Sequence, residues 1–485
     1  MFSKEIAAID LKLNKLQQEI HGIGSNSDSE EVEIGSLFFP NQENKCPYSI
    51  VYKKIPSIKN DKSSIFTVDN DLDLIIRTYL YYQLPAIRVK EKVRDVIRIC
   101  WSHNLFHNII NSASFMKDRI QLTSFDTVTL DIYKKFYLRN GFGKKYNEGI
   151  GNVPELENWN TFLPSYKLVA QQFWPFSEDT TLSFPLFLLP NSTITFEYSF
   201  NLKLDKLLRM QMKNKNDEWI DIECTTRYIE SNVDLRKKET PKMIGIYAIL
   251  SEEEKNHWAQ EKQHNYYYNH MIPIDTKNTT TYDRKENISF NINNPCKAIH
   301  WVVEDQEKIK FSNRSNYTTS NEVYKGNYPW NNPCLNYNTT PRFESIPYQI
   351  IDIIEPYYLT KNTSDEKGYG IFSFCLDPFS KDNNMTVILS TCQTVLELDI
   401  ENTGQESDFI PFDVDDDDDS DKELKQREKM MNNTNITDKK LLVKTRLLTI
   451  RKISIIKDIQ DESTYDKLSE NEKIAIKYKI NIIDA

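Results

Sequence analysis

Apolar and polar side chains alternate along short segments in both halves of the chain, and this period of two restricts the fold most strongly. In STITFEYSF (192–200), Ile194, Phe196 and Tyr198 alternate with polar residues. Because successive side chains of a strand point to opposite faces, the alternation predicts strands with one buried face. The same reasoning predicts strands in TVTLDIY (127–133), ISFNI (288–292), KAIHWVV (297–303), GIFSFCL (370–376), TVILST (386–391), TVLELDI (394–400) and IAIKYKINII (474–483). Loops rich in Asn, Pro and Thr separate these segments, so we predict an all-β chain of antiparallel sandwiches.

The length of the chain predicts more than one domain. At 485 residues it exceeds the size at which a single core keeps growing. We divide it into a first sandwich over 25–212 and a second over 213–485. Within the second, SEEEKNHWAQEKQHN (251–265) is compatible with a short helix, and the acidic stretch 412–440 is predicted to be a solvated loop insertion. A calcium site in the Asp cluster 413–421 is the alternative, but the glycine and spaced ligands of an ordered calcium loop are missing.

The first 24 residues carry a helical pattern instead. Their large apolar residues recur at spacings of four and three, which places them on one stripe of a helix. These residues are Phe2, Ile6, Ile9, Leu13, Leu16 and Ile20. The polar segment GIGSNSDSEEVE then ends the helix. We expect residues 1–24 to form an amphipathic helix that either docks on a partner protein through this seam or packs on its own domain.

Charge and cysteine content limit the partners and the compartment. The formal net charge is −10 and no clustered basic face is visible, so dedicated binding to nucleic acid is not expected. Seven cysteines without a C-x-x-C pair indicate reduced thiols in a cytosolic setting. Frequent charges near the N-terminus argue against a signal peptide, and no apolar run approaches the ~20 residues of a membrane span. We therefore expect the partner to be protein.

His103 and His107 form a pattern that suggests a metal site. On a helix, residues four apart can share a metal ion, and Cys100 lies nearby. The segment lacks the Glu of H-E-x-x-H, however, and its β-branched neighbours favour a strand and turn. On a strand the two positions would be ~13 Å apart, too far to share one zinc ion. We therefore predict structural histidines, with no metal, no cofactor and no catalytic residues.

Four blocks carry further motifs in a consistent order. Block 88–136 contains a W-x-x-N-x-x-H-x-x-I pattern, 163–198 a proline-bounded aromatic stretch, 296–307 a strand with a central Trp, and 347–384 a strand similar to Y-S-F-A-L-x-P. In this order they resemble the major capsid proteins of nucleocytoplasmic large DNA viruses. The matching positions that we single out are Trp101, Asn104, His107, Trp174, Pro185, Trp301, Phe372, Phe374 and Pro378. The acidic insertion and the missing glycine-rich C-terminal segment indicate a diverged paralogue, of the kind found in mimivirus-like giant viruses.

The resemblance implies a double jelly roll, two consecutive eight-stranded β-sandwiches preceded by the short N-terminal helix. It implies a structural protein of the virion and no enzyme, with three copies forming a pseudo-hexagonal capsomer that tiles an icosahedral shell. The implied partners are further copies of the chain, neighbouring capsomers and minor capsid proteins, with no direct contact to nucleic acid and at most indirect contact to a membrane. Assembly would take place in the host cytoplasm. Trp101, Trp174, Trp301 and Phe374 would be core or interface anchors, and His107 would bond a backbone group near a subunit contact.

Two other functions share the strand pattern. A scaffold lattice protein of the poxvirus type has the same double jelly roll and trimer but is shed during maturation. A jelly-roll carbohydrate-binding module or enzyme is the other alternative. Its cupin-type metal site would need a histidine pair two residues apart, which this sequence lacks.

Overall fold

The computed structural model describes residues 48–484 apart from 60–62, 139–141, 231–234, 236–238, 275–276, 281–284, 339, 345, 360–364, 376–377, 379–386, 401–439 and 458–477. The predicted N-terminal helix over 1–24, with its seam from Phe2 to Ile20, lies outside the described residues. The acidic stretch from 412 to 439, including the Asp cluster 413–421, lies outside them as well.

The strands of the first half form two main sheets. They are β1 (Tyr48–Ile55), β2 (Ser57–Lys59), β3 (Ser64–Thr67), β4 (Leu74–Leu84), β5 (Ile87–Arg88), β6 (Ile97–Trp101), β7 (Ile110–Lys117), β8 (Ile120–Asp126), β9 (Phe162–Leu163), β10 (Tyr166–Gln171), β11 (Phe184–Pro185), β12 (Ile194–Phe200), β13 (Leu208–Lys213), β14 (Trp219–Ile222) and β15 (Lys242–Leu250). One sheet has the order β1-β15-β4-β10, with β11 on β4, and the other has the order β2-β3-β12-β7-β8. Without the short β2 and β11, the strands taken in chain order read 1-8-3-6 and 2-7-4-5. This is the strand order of a jelly roll.

Aromatic side chains fill the space between these sheets. The alternation in β12 turns Ile194, Phe196 and Tyr198 inwards, and all three are buried. The Phe196 ring stacks on Phe115 of β7 and on Trp174, with centroids 5.1 Å apart in both pairs. The strand predicted for 192–200 is therefore confirmed over Ile194–Phe200.

The last strand of the first jelly roll lies beyond the predicted domain boundary. β15 pairs with β1 on one side and with β4 on the other, which places it inside the sheet of the first half. The predicted division between 212 and 213 assigns this strand to the second jelly roll. Pairing between strands so distant in sequence leaves no local signal, because periodicity reports only which face of a strand is buried.

The second half forms a continuous sheet. Its strands are β16 (Gln263–Pro273), β17 (Lys277–Thr280), β18 (Lys285–Asp305), β19 (Trp330–Tyr337), β20 (Thr340–Phe343), β21 (Tyr369–Ser373), β22 (Val387–Ile400), β23 (Lys440–Lys457) and β24 (Tyr478–Asp484). The order is β16-β23-β18-β22-β19-β20, with β17 and β24 on β23 and β21 on β18. The described parts of the remaining predicted strands lie within β18, β21, β22 and β24, except that β21 ends at Ser373, before the predicted end at 376. Two of the predicted strands, TVILST and TVLELDI, join in β22. The described part of the chain is thus predominantly β, as predicted.

Short helices connect the strands. They are α1 (Leu105–Ile109), α2 (Thr127–Ile132), α3 (Gly143–Ile150), α4 (Pro154–Glu157), α5 (Pro175–Glu178), α6 (Glu252–Gln260), α7 (Gln306–Lys310) and α8 (Glu355–Leu359), with 3-10 turns at Glu91–Val93, Thr180–Leu182, Leu204–Lys206 and Thr226–Tyr228 and π-helical turns at Tyr133–Tyr137 and Ile350–Ile354. The helix expected near 251–265 is confirmed as α6, whose first turn is capped by Ser251. No helix within the described segments is long and apolar enough to cross a membrane.

The strand predicted for TVTLDIY is wrong, because these residues form α2. Asp126 ends β8 and caps the helix, since its Oδ1 accepts hydrogen bonds from the backbone N and the Oγ1 of Thr129 at 2.9 and 2.7 Å. The alternation that suggested a strand does not reflect exposure, because the residues from Val128 to Ile132 are all buried.

Candidate functional site

The segment after β6 contains polar residues of the first block, Asn104 and His107, and both are buried. Asn104 adopts a left-handed conformation (φ 49°), which ends the extended chain, and its carbonyl accepts a hydrogen bond from Asn108 N at 3.1 Å. α1 then begins at Leu105, and all of its residues are buried. The strand and turn predicted for this segment hold as far as His103, which lies in the turn after β6, but the prediction is wrong for His107, which lies on α1. A helix buried on all sides lacks the amphipathic spacing by which helices are identified.

His107 lies on α1 and bonds two side chains. Its Nδ1 is 2.7 Å from Asp131 Oδ1, and its Nε2 is 2.8 Å from Tyr146 Oη. Burial lowers the pKa of His107, although hydrogen bonding to Asp131 opposes the shift. These side-chain partners replace the backbone partner that we expected. Asp131 also accepts hydrogen bonds from Asn104 Nδ2 and from Tyr317 Oη of the second half, both at 2.8 Å.

His103 bridges the two halves of the chain. Its Nδ1 is 2.5 Å from Glu157 Oε1, in α4, and its Nε2 is 3.1 Å from Glu366 Oε1, just before β21. Burial and the neighbouring Lys134 lower the pKa of His103, but the carboxylates of Glu366 and Glu157 outweigh them and raise it to about 9. At neutral pH, His103 is therefore an imidazolium that donates to both acids. The two histidines bind different carboxylates.

Lys134, in the first π-helical turn, completes the buried charges. Its amine forms an ion pair with Glu366 and donates a hydrogen bond to Asn104 Oδ1 at 2.6 Å. Burial alone would raise the pKa of Glu366, but Lys134 and His103 hold it well below its usual range. Asn152 Nδ2 also donates to Asn104 Oδ1, at 2.7 Å. We call the following five residues the polar junction: His103, Asn104, Asp131, Lys134 and Glu366.

Lys135 makes a second buried ionic contact between the halves. Its Nζ lies 3.6 Å from Asp352 Oδ1 and donates to the backbone carbonyl of Glu366 at 2.5 Å. The hydroxyl of Tyr328 donates to Asp352 Oδ2. Burial raises the pKa of Asp352 to about 6, although Lys135 opposes the shift.

Apolar and polar contacts surround the junction and also join the halves. α2 and the turn after it pack against the sheet of the second half, through a buried cluster that includes Val128, Ile132, Phe136, Val302, Ile371 and Leu448. On β8, the carbonyl of Leu122 accepts hydrogen bonds from Tyr268 Oη and Arg451 Nη1, both at 3.0 Å. Asp126 pairs with Arg446 at 2.5 Å. The two halves therefore share a continuous interior on this side.

The family-matching aromatic residues lie mostly in the interior of the chain. Trp101 pairs through its backbone with Leu208 of β13, and the Trp301 ring meets Trp330 edge-on with centroids 5.4 Å apart. Trp101, Trp174 and Trp301 are all buried, and so are Pro185 and Pro378. Phe372 and Phe374 are half-buried, with rings 5.3 Å apart. Their roles as anchors stay predictions.

Within the described residues, no group of three or more His, Cys, Asp or Glu side chains is arranged to hold a metal ion. Cys100 lies in β6 with its side chain buried, and this burial raises the pKa of its thiol to about 12. The arrangement around His103 and His107 can hold two halves of a chain together through buried, hydrogen-bonded charges.

Sequence reasoning missed most of the junction. The alternation in TVTLDIY predicts that Asp131 lies on the polar face of a strand, and no motif of the sequence marks Lys134. Glu366 lies in a loop that offers no periodicity, and it meets His103 across 263 positions. The one usable signal was the pair Asn104 and His107, which lies one helical turn apart and bonds the same acid.

Comparison with known proteins adds independent findings. A family model described as "Large eukaryotic DNA virus major capsid protein" matches residues 254–422. The major capsid protein of Simulium iridescent virus is 22% identical over 344 residues, which cover 64% of this chain and 68% of that protein. The major capsid protein of Trichoplusia ni ascovirus 2c is 22% identical over 407 residues, with coverage of 76% and 80%.

Solved structures share the fold. The Faustovirus major capsid protein superposes with a TM-score of 0.62 at 8% identity, covering 92% of this chain and 98% of that one. A quasi-atomic model of the PBCV-1 virus capsid gives a TM-score of 0.58 at 12% identity, with coverage of 87% and 98%. At such identities the likeness concerns the fold alone, and that fold is the predicted double jelly roll.

Proposed function

We propose that the chain is a member of the family of large eukaryotic DNA virus major capsid proteins, as the matched residues 254–422 and the capsid relatives support, and that three copies associate into a pseudo-hexagonal capsomer that tiles an icosahedral shell. The family is structural and not enzymatic, so the protein is a component of the virion capsid. Three double jelly rolls supply six similar sandwiches, which suits a ring with hexagonal outline. We propose in addition that assembly takes place in the host cytoplasm.

The polar junction is the observation that carries this proposal. A capsomer can keep a hexagonal outline only if the two sandwiches of each chain hold a constant angle. His103, Lys134 and Glu366 tie the halves through buried charges, because both cations contact the Glu366 carboxylate. We infer that the junction makes each chain a rigid double tile.

An exposed strand edge supports contact between copies. β1 lies at the end of its sheet and exposes Tyr48, Ile50 and Tyr52 at 45%, 52% and 71%. All three side chains share one face, since they alternate along the strand. Apolar groups on a strand edge favour association with another chain. We propose that a second copy of the chain covers this edge. We also propose that the first jelly roll extends to β15 and that the second begins after it.

Light scattering on the purified protein tests the trimer. The expected mass is three times the chain mass of 57.1 kDa. Tyr52→Lys should weaken association or lattice formation while the melting temperature of the isolated chain stays unchanged. Ile120→Lys is the matched control, because Ile120 is 48% exposed at the start of β8, in the other sheet. A strict monomer over a wide concentration range would contradict the proposal.

The N-terminal seam is proposed to dock on a neighbouring capsomer or a minor capsid protein. Deleting residues 1–22 should leave the trimer intact and impair assembly into sheets or shells. If the truncated protein fails to fold, the segment belongs to the core of the first domain and the docking proposal is wrong.

The scaffold alternative differs in the fate of the protein and not in its fold. A scaffold lattice protein would be absent from purified mature particles, whereas a shell protein would be retained, so mass spectrometry of such particles separates the two. The carbohydrate-binding or enzymatic alternative is set aside, because the relatives are structural capsid proteins.

A further inference from the structure

We propose that Lys134 and Asn104 become joined by an isopeptide bond, formed inside the polar junction between the lysine amine and the asparagine side-chain amide with release of ammonia. The bond would lie within a single chain. It is therefore independent of the proposed capsomer.

The two reacting groups are already in contact and shielded from water. Lys134 Nζ lies 2.6 Å from Asn104 Oδ1, next to the carbonyl carbon that it would attack. Asn104 is 0% exposed and Lys134 is 2% exposed. Holding an amine against an amide in this way replaces a bimolecular encounter by an intramolecular one, which removes much of the entropic cost of a slow reaction.

The surrounding side chains match the needs of amide exchange. Glu366 forms an ion pair with Lys134 and is the carboxylate placed to accept the proton of the ammonium group. Its lowered pKa makes this transfer unfavourable, so the reaction is expected to be slow. Asn152 Nδ2 donates to Asn104 Oδ1 at 2.7 Å, where negative charge develops when the amine attacks. Asp131 Oδ1 accepts from Asn104 Nδ2 at 2.8 Å and orients the leaving amide nitrogen.

The reaction is balanced without an oxidant or a cofactor. Lys134 transfers a proton to Glu366, and the neutral amine attacks the Cγ of Asn104. Collapse of the tetrahedral adduct forms the new C–N bond and breaks the bond to the original amide nitrogen, which leaves as ammonia. The proton held by Glu366 departs with it as ammonium, and the carboxylate is restored. His103 stays paired with Glu366 after Lys134 has lost its charge.

Intact mass under denaturing conditions tests the proposal on the full-length protein. The expected mass is lower than the sequence mass by one ammonia, and a protease digest should contain a branched peptide that joins the segments of Asn104 and Lys134. Asn104→Asp should form the same bond with loss of water and reach the same final mass. Lys134→Met and Glu366→Gln should show their full sequence masses. Lys308→Met is the control that keeps the loss, because the amine of Lys308 donates to backbone carbonyls at Thr318 and Ser320.

The intact mass of the wild-type protein tests for the isopeptide bond even if a variant does not fold. A mass equal to the sequence mass, both when fresh and after long incubation at neutral pH, overturns the proposal. Retention of the loss in Lys134→Met would also overturn it, because another residue would then be the source. A trimer with full sequence mass would leave the capsomer proposal standing and refute only the bond.

Discussion

Replacing Asp131 by alanine removes the acceptor at which α1 and the second half of the chain meet. Asp131 is fully buried and accepts hydrogen bonds from Asn104, His107 and Tyr317 at 2.7–2.8 Å. A buried donor left without an acceptor costs roughly 1–3 kcal/mol. Three donors lose their acceptor, and the lower part of the range applies because cavities of this kind relax. We expect Asp131→Ala to lower the free energy of unfolding by about 3–6 kcal/mol.

Urea unfolding, followed by tryptophan fluorescence and by circular dichroism, measures this loss. Since the acid bonds to both halves, both signals should shift to lower urea together. Asp131→Asn keeps an acceptor oxygen and should lose less. Asp95→Ala is the surface control, because Asp95 is exposed in the turn before β6, and its effect should stay within about 0.5 kcal/mol. A loss below about 1 kcal/mol for Asp131→Ala, or an early transition confined to one half, would refute the reasoning.

Three further outcomes follow from the same structure. The pKa of His103 is raised from 6.5 to about 9, so its contribution to stability is complete below pH 6.5 and disappears as the pH rises through about 9. Between these pH values the melting temperature of the wild type should fall more steeply than that of His103→Gln. Parallel profiles would contradict the ion pairs. The pKa of Asp352 is raised from 3.8 to about 6, so stability is lost as the pH rises from 3.8 to about 6 and the loss is complete above that value. The stability of Asp352→Asn relative to wild type should improve between these two pH values, and a constant difference would count against the buried charge. A Cβ on Gly370 would lie 2.1 Å from Trp301 Cε2, so Gly370→Ala should cost about 1–3 kcal/mol through repacking of the ring, and an unchanged melting temperature with unchanged near-ultraviolet dichroism would exclude this contact.

Strands were predictable wherever one of their faces meets water. β12 and the second part of β22 show alternate burial, and their sequences alternate in the same register. The helix α6 was visible for a related reason, since a serine caps a first turn of acidic residues. The order of the sequence blocks also indicated the double jelly roll. The strand signal is local, because it arises from the contrast between an exposed face and a buried one, whereas the double jelly roll was indicated by resemblance to a known family.

Only the tertiary structure shows which secondary structure the fully buried segments adopt and which residues distant in sequence come into contact. α1 and α2 are buried on all sides, so their sequences do not show an apolar face opposite a polar face. In TVTLDIY an alternating pattern therefore predicts a strand where the chain forms a helix. β15 enters the first sandwich only because β1 and β4 are there to pair with it. His103, Lys134 and Glu366 are distant in sequence and become partners only in the folded chain, and burial of their charges is tolerated only because they meet. Sequence periodicity records the exposure of each residue, whereas the identity of its neighbours is decided by how the chain folds back on itself.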